Sequence, residues 1–206
     1  MTLFRDQYRV ESARLAGFDY SSPGYYFITL CTQDRLHLFG SISQGEMELN
    51  DFGEIVAEEW CKSFEIRREL EPDEYVIMPN HVHGIVHIVE VPGSEQSRNI
   101  PVIVEDEAYV REVKPGLTPK SVSSFVAGVK SVITKRINIL RATPREPVWQ
   151  PRFYDRIIYG DAALYNTRKY IRDNPKKWMC DTMSSDISES FDQCAISIRV
   201  DRYGDE

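Results

Sequence analysis

Hydrophobic positions along this chain follow two different periods. In some stretches they are dense and rich in aromatic and β-branched residues, which is typical of β-strands. The first such run covers 25–32 and the last covers 149–159, while a central run at 75–88 is divided in two by Pro79 and Asn80. The pattern therefore predicts four strands.

Between these runs, apolar residues recur every three to four positions, as they do on one face of a helix. One stripe extends over 52–64, and Asn50 or Asp51 is placed to cap the N-terminus of that helix. The clearest stripe occupies 120–141. A third helix is predicted over 162–174 and is expected to end before the proline that follows.

The order β-α-β-β-α-β-α predicts an α+β fold, because its first six elements form the split βαβ arrangement called ferredoxin-like. That arrangement has a four-stranded antiparallel sheet with two helices on one face, and we expect the last helix, which bears Tyr170, near the other. Two glycines within 40–45 predict a short loop. We expect a single domain at 1–178, with an insertion at about 92–119 and an acidic tail at 179–206.

Composition allows one hydrophobic core and gives no sign of a membrane segment. The chain has 206 residues and 42% hydrophobic content. No apolar run reaches the roughly 20 residues of a membrane-spanning helix, and the first residues lack the apolar region of a signal peptide. We therefore predict a cytoplasmic protein with no membrane partner.

Charge is distributed unevenly along the chain. The net charge of −7 argues at first against a nucleic-acid partner. Residues 113–178, however, contain 14 Lys or Arg against 4 Asp or Glu, and 113–145 contain seven basic residues and no acid. Because a polyanion responds to the local field, this segment is a candidate for phosphate contacts, although it is equally compatible with an inert dipolar surface.

Two histidines open the second half of the central β-run. Side chains alternate along a strand, so His81 and His83 share a face and lie about 6.6 Å apart along the chain, within reach of one metal ion. His87 shares that face but lies about 13 Å further along, too far to join them. Two histidines do not complete a metal site, and both are equally compatible with an ordinary half-buried strand.

The last predicted helix contains Tyr170 and Asn174 at positions i and i+4, which are neighbours on one helix face. The Asn carbonyl is a candidate third metal ligand. The Tyr hydroxyl is a candidate nucleophile, which is weak by itself but could attack a phosphate polarised by a metal. Spacing alone favours ordinary functions, namely an aromatic side chain packed on the sheet and a residue that ends a helix.

Several sequence blocks together resemble one family. Residues 79–84, Pro-Asn-His-Val-His-Gly, resemble the His-hydrophobe-His (HUH) motif of single-tyrosine insertion-sequence transposases. Residues 170–175, Tyr-Ile-Arg-Asp-Asn-Pro, resemble the Tyr-Ile-x-x-Asn-Pro block of the REP-associated tyrosine transposases. The blocks at 149–158 and 24–32 are similar to the corresponding strands of that family. The resemblance covers about 14–178, outside the insertion, and the blocks occur in the right order.

The resemblance implies that His81, His83 and Asn174 bind a divalent metal and that Tyr170 is the catalytic nucleophile. Imidazole and amide ligands accept manganese readily, whereas magnesium prefers oxygen, so either metal is possible. One departure is that Lys-Lys-Trp at 176–178 stands where the family often has Val-Lys-Ala-Gly, which suggests a branch with a different DNA target.

The hypothesis that follows is an HUH strand-transfer nuclease that cuts and rejoins single-stranded DNA near a hairpin through a 5′-phosphotyrosine link. Its DNA-binding candidates are basic residues of the positively charged segment: Lys130, Lys135, Arg136 and Arg152. Two alternatives are a domesticated protein that binds DNA hairpins without cutting them, and an RNA-binding module that stacks bases on the aromatics of the first strand. The family includes monomers and homodimers that share active sites, so the sequence leaves the assembly open.

Overall fold

The computed structural model of the protein describes residues 14–15, 17–91 and 118–178. The predicted insertion, apart from its last two residues, and the whole acidic tail lie outside the described residues. The strands and helices, in chain order, are β1 Gly24–Cys31, β2 Gly40–Ser43, β3 Glu46–Leu49, α1 Asp51–Ile66, β4 Leu70–Met78, β5 His81–Ile88, α2 Val122–Leu140, β6 Tyr154–Ile158 and α3 Gly160–Lys177.

Four strands form one antiparallel sheet in the order β4-β5-β1-β6. The two central strands, β5 and β1, pair along their whole length, from Gly24 opposite Ile88 to Cys31 opposite His81. Together with α1 and α2 this is the predicted ferredoxin-like arrangement, which is therefore confirmed.

One face of the sheet packs against α1 and α2 and holds the main core. Asn50 caps the N-terminus of α1, since its side-chain oxygen accepts hydrogen bonds from the backbone N–H groups of Phe52 and Gly53 at 3.0 Å. The core on this face is made of apolar side chains from every layer, including Tyr26, Ile28, Leu30, Val56, Trp60, Val82, Val86, Phe125, Val129 and Ile133. Burial on this scale is the dominant stabilising contribution in a domain of this size.

The opposite face packs against α3. A smaller cluster joins sheet residues Phe27, Ile85 and Ile158 to Leu164 and Ile171 of α3. Because side chains alternate along β5, the apolar residues on its other side enter the main core and both histidines are directed towards α3. None of the helices in the described part of the chain has the length and apolar character of a membrane span.

Three local predictions were wrong. Residues 40–45 are not a simple loop but belong to the β2–β3 hairpin, whose strands have only four residues each and are too short to give a periodic signal. The strand predicted at 149–159 is regular only over Tyr154–Ile158 and is preceded by a single bridge between Thr32 and Trp149.

The third correction concerns the end of α3. Pro175 lies inside this helix, which extends to Lys177 instead of ending at Asn174. A proline in the last turn removes one backbone hydrogen bond to the preceding turn and leaves the rest of the helix intact. The chain remains helical at Trp178, whose backbone N–H donates to the carbonyl oxygen of Pro175. This extra turn places Trp178 over the sheet.

Candidate active site

Strand β5 brings His81 and His83 together beneath α3. Both residues have 0% relative exposure, and their ring centroids are 4.4 Å apart. The i, i+2 spacing on one strand therefore produces adjacent imidazoles, as the sequence predicted.

Each histidine is held through its Nδ1 atom by a buried polar neighbour. Nδ1 of His81 lies 2.8 Å from Oδ1 of Asn80, and Nδ1 of His83 lies 2.8 Å from Oγ1 of Thr29. Thr29 stands directly opposite His83 in the β1–β5 register, so the sheet itself creates that contact. Both imidazoles consequently have Nε2 directed away from these anchors.

Tyr170 approaches the histidines from α3. Its hydroxyl oxygen lies 3.2 Å from Nε2 of His83. The ring of Phe27 packs against both groups, with centroids 5.2 Å from His83 and 6.1 Å from Tyr170. The sequence-predicted nucleophile therefore lies in hydrogen-bonding contact with a sequence-predicted metal ligand of the same chain.

Asn174 lies one helical turn beyond Tyr170 and is 2% exposed. One further turn brings Trp178 to His81, with ring centroids 6.0 Å apart. Since Tyr170 contacts His83 and Trp178 lies beside His81, the residue midway between them on the same helix face lies over the histidine pair. Asn174 is that residue.

Two buried polar atoms of this site are unsatisfied. Within the described residues, neither Nε2 of His81 nor Oδ1 of Asn174 has a hydrogen-bond partner. A buried polar atom without a partner costs about 1–3 kcal/mol, so such atoms call for an explanation. Bonds to a metal ion would satisfy both, because a neutral imidazole nitrogen and an amide oxygen each offer a lone pair.

The electrostatics of the site favour neutral imidazoles. Burial lowers the pKa of His83 to about 3. The pKa of His81 is also well below its usual value, chiefly because of burial and further because of the neighbouring His83 and Arg35. Neutral imidazole is the form that binds a metal. No cluster of three His, Cys, Asp or Glu side chains suited to a metal occurs in the described parts of the chain.

The other two histidines have separate surroundings. The ring of His87 stacks on Tyr25 at 4.0 Å, and its Nδ1 lies 3.0 Å from a carboxylate oxygen of Glu71. The exposed ring of His37 lies 5.5 Å from Trp178, at the edge of the site. The prediction that His87 does not join the pair agrees with this arrangement.

Three of the four predicted DNA-binding residues, Lys130, Lys135 and Arg136, lie on α2, on the face of the sheet opposite α3. Lys130 donates hydrogen bonds to the backbone carbonyls of Gln150 and Arg152 at 2.7 and 2.9 Å, which fixes the segment before β6. The side chain of Arg152 is exposed, as is that of Lys135 on α2.

Arg136 also lies on α2, across the sheet from α3. Its guanidinium forms 2.7 Å ion pairs with Glu58 and Glu59 of α1. Although residues 113–145 contain no acid, this side chain is neutralised, because the carboxylates come from another helix. Arg136 is therefore a poor candidate for a contact to the same phosphate as Tyr170.

Sequence reasoning missed three neighbours of the histidines. Asn80 directly precedes His81, and the predicted pairing of β1 with β5 would have pointed to Thr29 as soon as a register was chosen. Trp178 carried no such signal, because its position depends on α3 continuing through Pro175.

The chain is 34% identical over 176 residues to an uncharacterized protein of Haemophilus influenzae, and the match covers 85% of this chain and 93% of that protein. The chain belongs to the family of that protein. No family model matches the chain.

Among solved structures, the chain is similar to a REP-associated tyrosine transposase bound to a REP hairpin, with a TM-score of 0.51 and 19% identity. The match covers 80% of this chain and 73% of that one. This member of the Haemophilus protein's family thus has the fold of the REP-associated tyrosine transposases. The resemblance inferred from the sequence blocks is confirmed at the level of the fold.

Proposed function

We propose that this protein is a metal-dependent transesterase that cuts and rejoins single-stranded DNA through Tyr170. The observation that carries the proposal is the contact of the Tyr170 hydroxyl with Nε2 of His83, beside the unsatisfied Nε2 of His81. A purely structural tyrosine would not require two adjacent buried imidazoles and a buried amide with a free lone pair around its hydroxyl.

In the proposed reaction, the Tyr170 oxygen attacks the phosphorus of a backbone phosphodiester. A new bond forms between this oxygen and phosphorus, and the bond between phosphorus and the 3′ oxygen breaks. The phenolic proton is lost and the departing 3′ oxygen gains a proton, so the products are a 5′-phosphotyrosine and a 3′-hydroxyl. Because the phosphodiester energy is kept in the link, a 3′-hydroxyl can reverse the step without ATP.

His81, His83 and Asn174 are the residues that would hold the divalent metal, manganese or magnesium. When bound, such an ion polarises the phosphate and neutralises charge that develops in the transition state. Other side chains of the protein position the groups of the site. Thr29 and Asn80 orient the imidazoles, and Phe27 limits the positions that the Tyr170 ring can take.

The proposed substrate is a DNA strand with a hairpin near the cut, by analogy with the structural relative that was solved bound to a REP hairpin. We include Arg152 as a phosphate contact because its side chain is exposed next to β6. The hairpin-binding alternative without cleavage shares this substrate and differs only in the chemistry. The RNA-binding alternative is weakened, because Tyr26 and Phe27 of β1 are 0% and 1% exposed, and the partly exposed Tyr25 already stacks on His87.

The direct test is to incubate the protein with labelled, hairpin-bearing single-stranded DNA and Mn²⁺ and to look for an adduct that survives denaturant. We expect a covalent adduct with wild type and none with Tyr170→Phe. Tyr165→Phe is the matched control, since Tyr165 lies on the same helix but is 62% exposed. This control should form as much adduct as wild type.

A second variant separates chemistry from binding. We expect His81→Ala to lose adduct formation while it still retards the hairpin in a gel. Binding by wild type without any adduct would instead support the hairpin-binding alternative. An adduct that persists in Tyr170→Phe would refute the assignment of the nucleophile.

A further inference from the structure

Asn80 joins the candidate metal site to the short 3₁₀ turn at Gln33–Arg35. It is 1% exposed, and both ends of its side-chain amide are engaged. Nδ2 donates to the backbone carbonyl of Arg35 at 3.2 Å, and Oδ1 lies 2.8 Å from Nδ1 of His81. Its own backbone carbonyl accepts hydrogen bonds from the N–H and the hydroxyl of Thr32, at 2.9 and 3.0 Å.

These contacts fix which nitrogen of His81 carries a proton. A backbone carbonyl only accepts hydrogen bonds, so the amide atom facing Arg35 must be the nitrogen of Asn80. The amide oxygen therefore faces His81, and an oxygen of this kind also only accepts. Nδ1 of His81 must then carry the hydrogen, which leaves the lone pair of the neutral ring on Nε2.

We propose that Asn80 is a positioning residue, which locks His81 in the Nδ1-protonated tautomer and so reserves Nε2 as a metal ligand. The metal part of this inference rests on the proposed function, whereas the tautomer does not. It accounts for the unsatisfied state of Nε2, which is the atom that this tautomer leaves as an acceptor. Orientation of a metal-binding imidazole through its other nitrogen is a general way to tune such ligands.

His83 is not locked in the same way. Its Nδ1 contacts the hydroxyl of Thr29, which can either donate or accept a hydrogen bond. The hydrogen-bond pattern around His83 therefore permits both tautomers, whereas that around His81 permits one. This difference between two adjacent histidines is a specific consequence of the structure.

The first experiment needs neither metal nor DNA. In metal-free, ¹⁵N-labelled wild type at neutral pH, long-range ¹H–¹⁵N correlation spectra report which ring nitrogen of each histidine is protonated. We expect the Nδ1 signal of His81 at the shift of a protonated nitrogen and its Nε2 signal at the shift of an unprotonated one. A proton on Nε2 of His81 would overturn the proposal, whatever the outcome of the DNA assay.

The second experiment measures Mn²⁺ affinity by electron paramagnetic resonance. Asn80→Leu removes the acceptor and should weaken Mn²⁺ binding about 10- to 100-fold, the usual effect of losing such an outer partner. Asn80→Asp keeps an acceptor for Nδ1 and should retain both the tautomer and an affinity within a few-fold of wild type. Because Asn80→Asp also loses the bond to Arg35, it distinguishes the orientation of the imidazole from support of the turn.

The matched control is Asn138→Leu. Asn138 is another buried asparagine, 8% exposed, whose Nδ2 donates to the backbone carbonyl of Glu146, but it lies on α2 across the sheet. It should lower stability without changing the tautomer of His81 or the affinity for Mn²⁺. The proposal is wrong if Asn80→Leu keeps the wild-type tautomer, or if Asn138→Leu weakens Mn²⁺ binding to the same extent. An absent DNA adduct together with the expected tautomer would count against the proposed function alone.

Discussion

Gly84 follows directly after the second histidine and has no room for a side chain. A Cβ atom at this position would lie 2.4 Å from Cζ2 and 2.6 Å from Cη2 of Trp60. Both distances are far below van der Waals contact. The Trp60 ring is 1% exposed and packs against Phe64, Tyr75 and Phe125, so it cannot turn away. Gly84→Ala must therefore displace strand β5 or the core.

The size of the effect follows from this overlap. Adding one methyl group to a well-packed core typically costs about 1–3 kcal/mol. For a chain of this length, each kcal/mol shifts the melting temperature by about 2–4 °C. We therefore expect Gly84→Ala to melt roughly 2–12 °C below wild type. Because His83 is the preceding residue, we also expect weaker Mn²⁺ binding.

Thermal and urea denaturation measure the stability change, and two comparisons isolate its cause. Gly128→Ala changes an exposed glycine of α2 whose new Cβ would meet only the end of the Arg67 side chain at 3.4 Å, so it should stabilise the protein by up to about 1 kcal/mol. In a Trp60→Phe background, the smaller ring should make Gly84→Ala less destabilising than it is in wild type. Equal cost in both backgrounds, or no cost in wild type, would refute the steric argument.

Further predictions concern charged side chains. Burial lowers the pKa of Lys130 from 10.5 to about 8. Between these pH values the unfolded chain binds more protons than the folded protein, so the free energy of unfolding should rise with pH. Parallel urea titrations of wild type and Lys130→Met measure this rise. Arg168→Met should cost about 1–3 kcal/mol because it leaves the nearly buried Asp73 carboxylate unpaired. Burial alone would raise the pKa of Asp73, but hydrogen bonds from Arg168 and a backbone N–H lower it below 3.8. The difference in stability between wild type and Arg168→Met should therefore vanish as the pH falls below 3.8 and through the pKa of Asp73 in the folded protein. Arg152→Ala should weaken hairpin binding and reduce its salt dependence by about one phosphate contact, measured by fluorescence anisotropy, whereas Arg136→Ala should leave both unchanged.

For each of these variants, one result would contradict the expected effect. A flat difference across pH 8–10.5 would show that Lys130 has an ordinary pKa. Arg168→Met with wild-type stability at neutral pH would show that solvent compensates the Asp73 carboxylate. A loss of hairpin affinity in Arg136→Ala would place DNA on the α1–α2 layer, away from Tyr170.

The sheet was predictable because local patterns set it. Tyr25–Thr32 and the two halves of 75–88 are dense in strand-forming residues, and the order of elements leaves few ways to arrange them. The β2–β3 hairpin was not predictable, since four-residue strands contain too few positions to show a period. Helix α3 was predicted too short, because a proline near a helix end usually marks a boundary and here lies within the last turn.

Some features of the candidate site were likewise predictable from the sequence, and others were not. The spacing of His81 with His83, and of Tyr170 with Asn174, follows from strand and helix geometry and is visible in the sequence. That these two pairs meet depends on how α3 crosses the sheet, which periodicity does not specify. The pairing of Arg136 with Glu58 and Glu59 is a contact between helices and is invisible to any count along one of them.

Burial of the site has a consequence for access. His81 and His83 have no exposed surface, so a phosphate can reach them only if a covering element moves. Helix α3 buries only two apolar side chains, Leu164 and Ile171, whereas α2 buries six. A layer held by little apolar area separates from the sheet at a smaller free-energy cost.

The remaining attachment of α3 includes ion pairs to strand β4, of which Arg168 with Asp73 is the most buried. We therefore expect α3, which carries Tyr170, to be the element that moves when DNA binds, with this ion pair controlling how readily it does so.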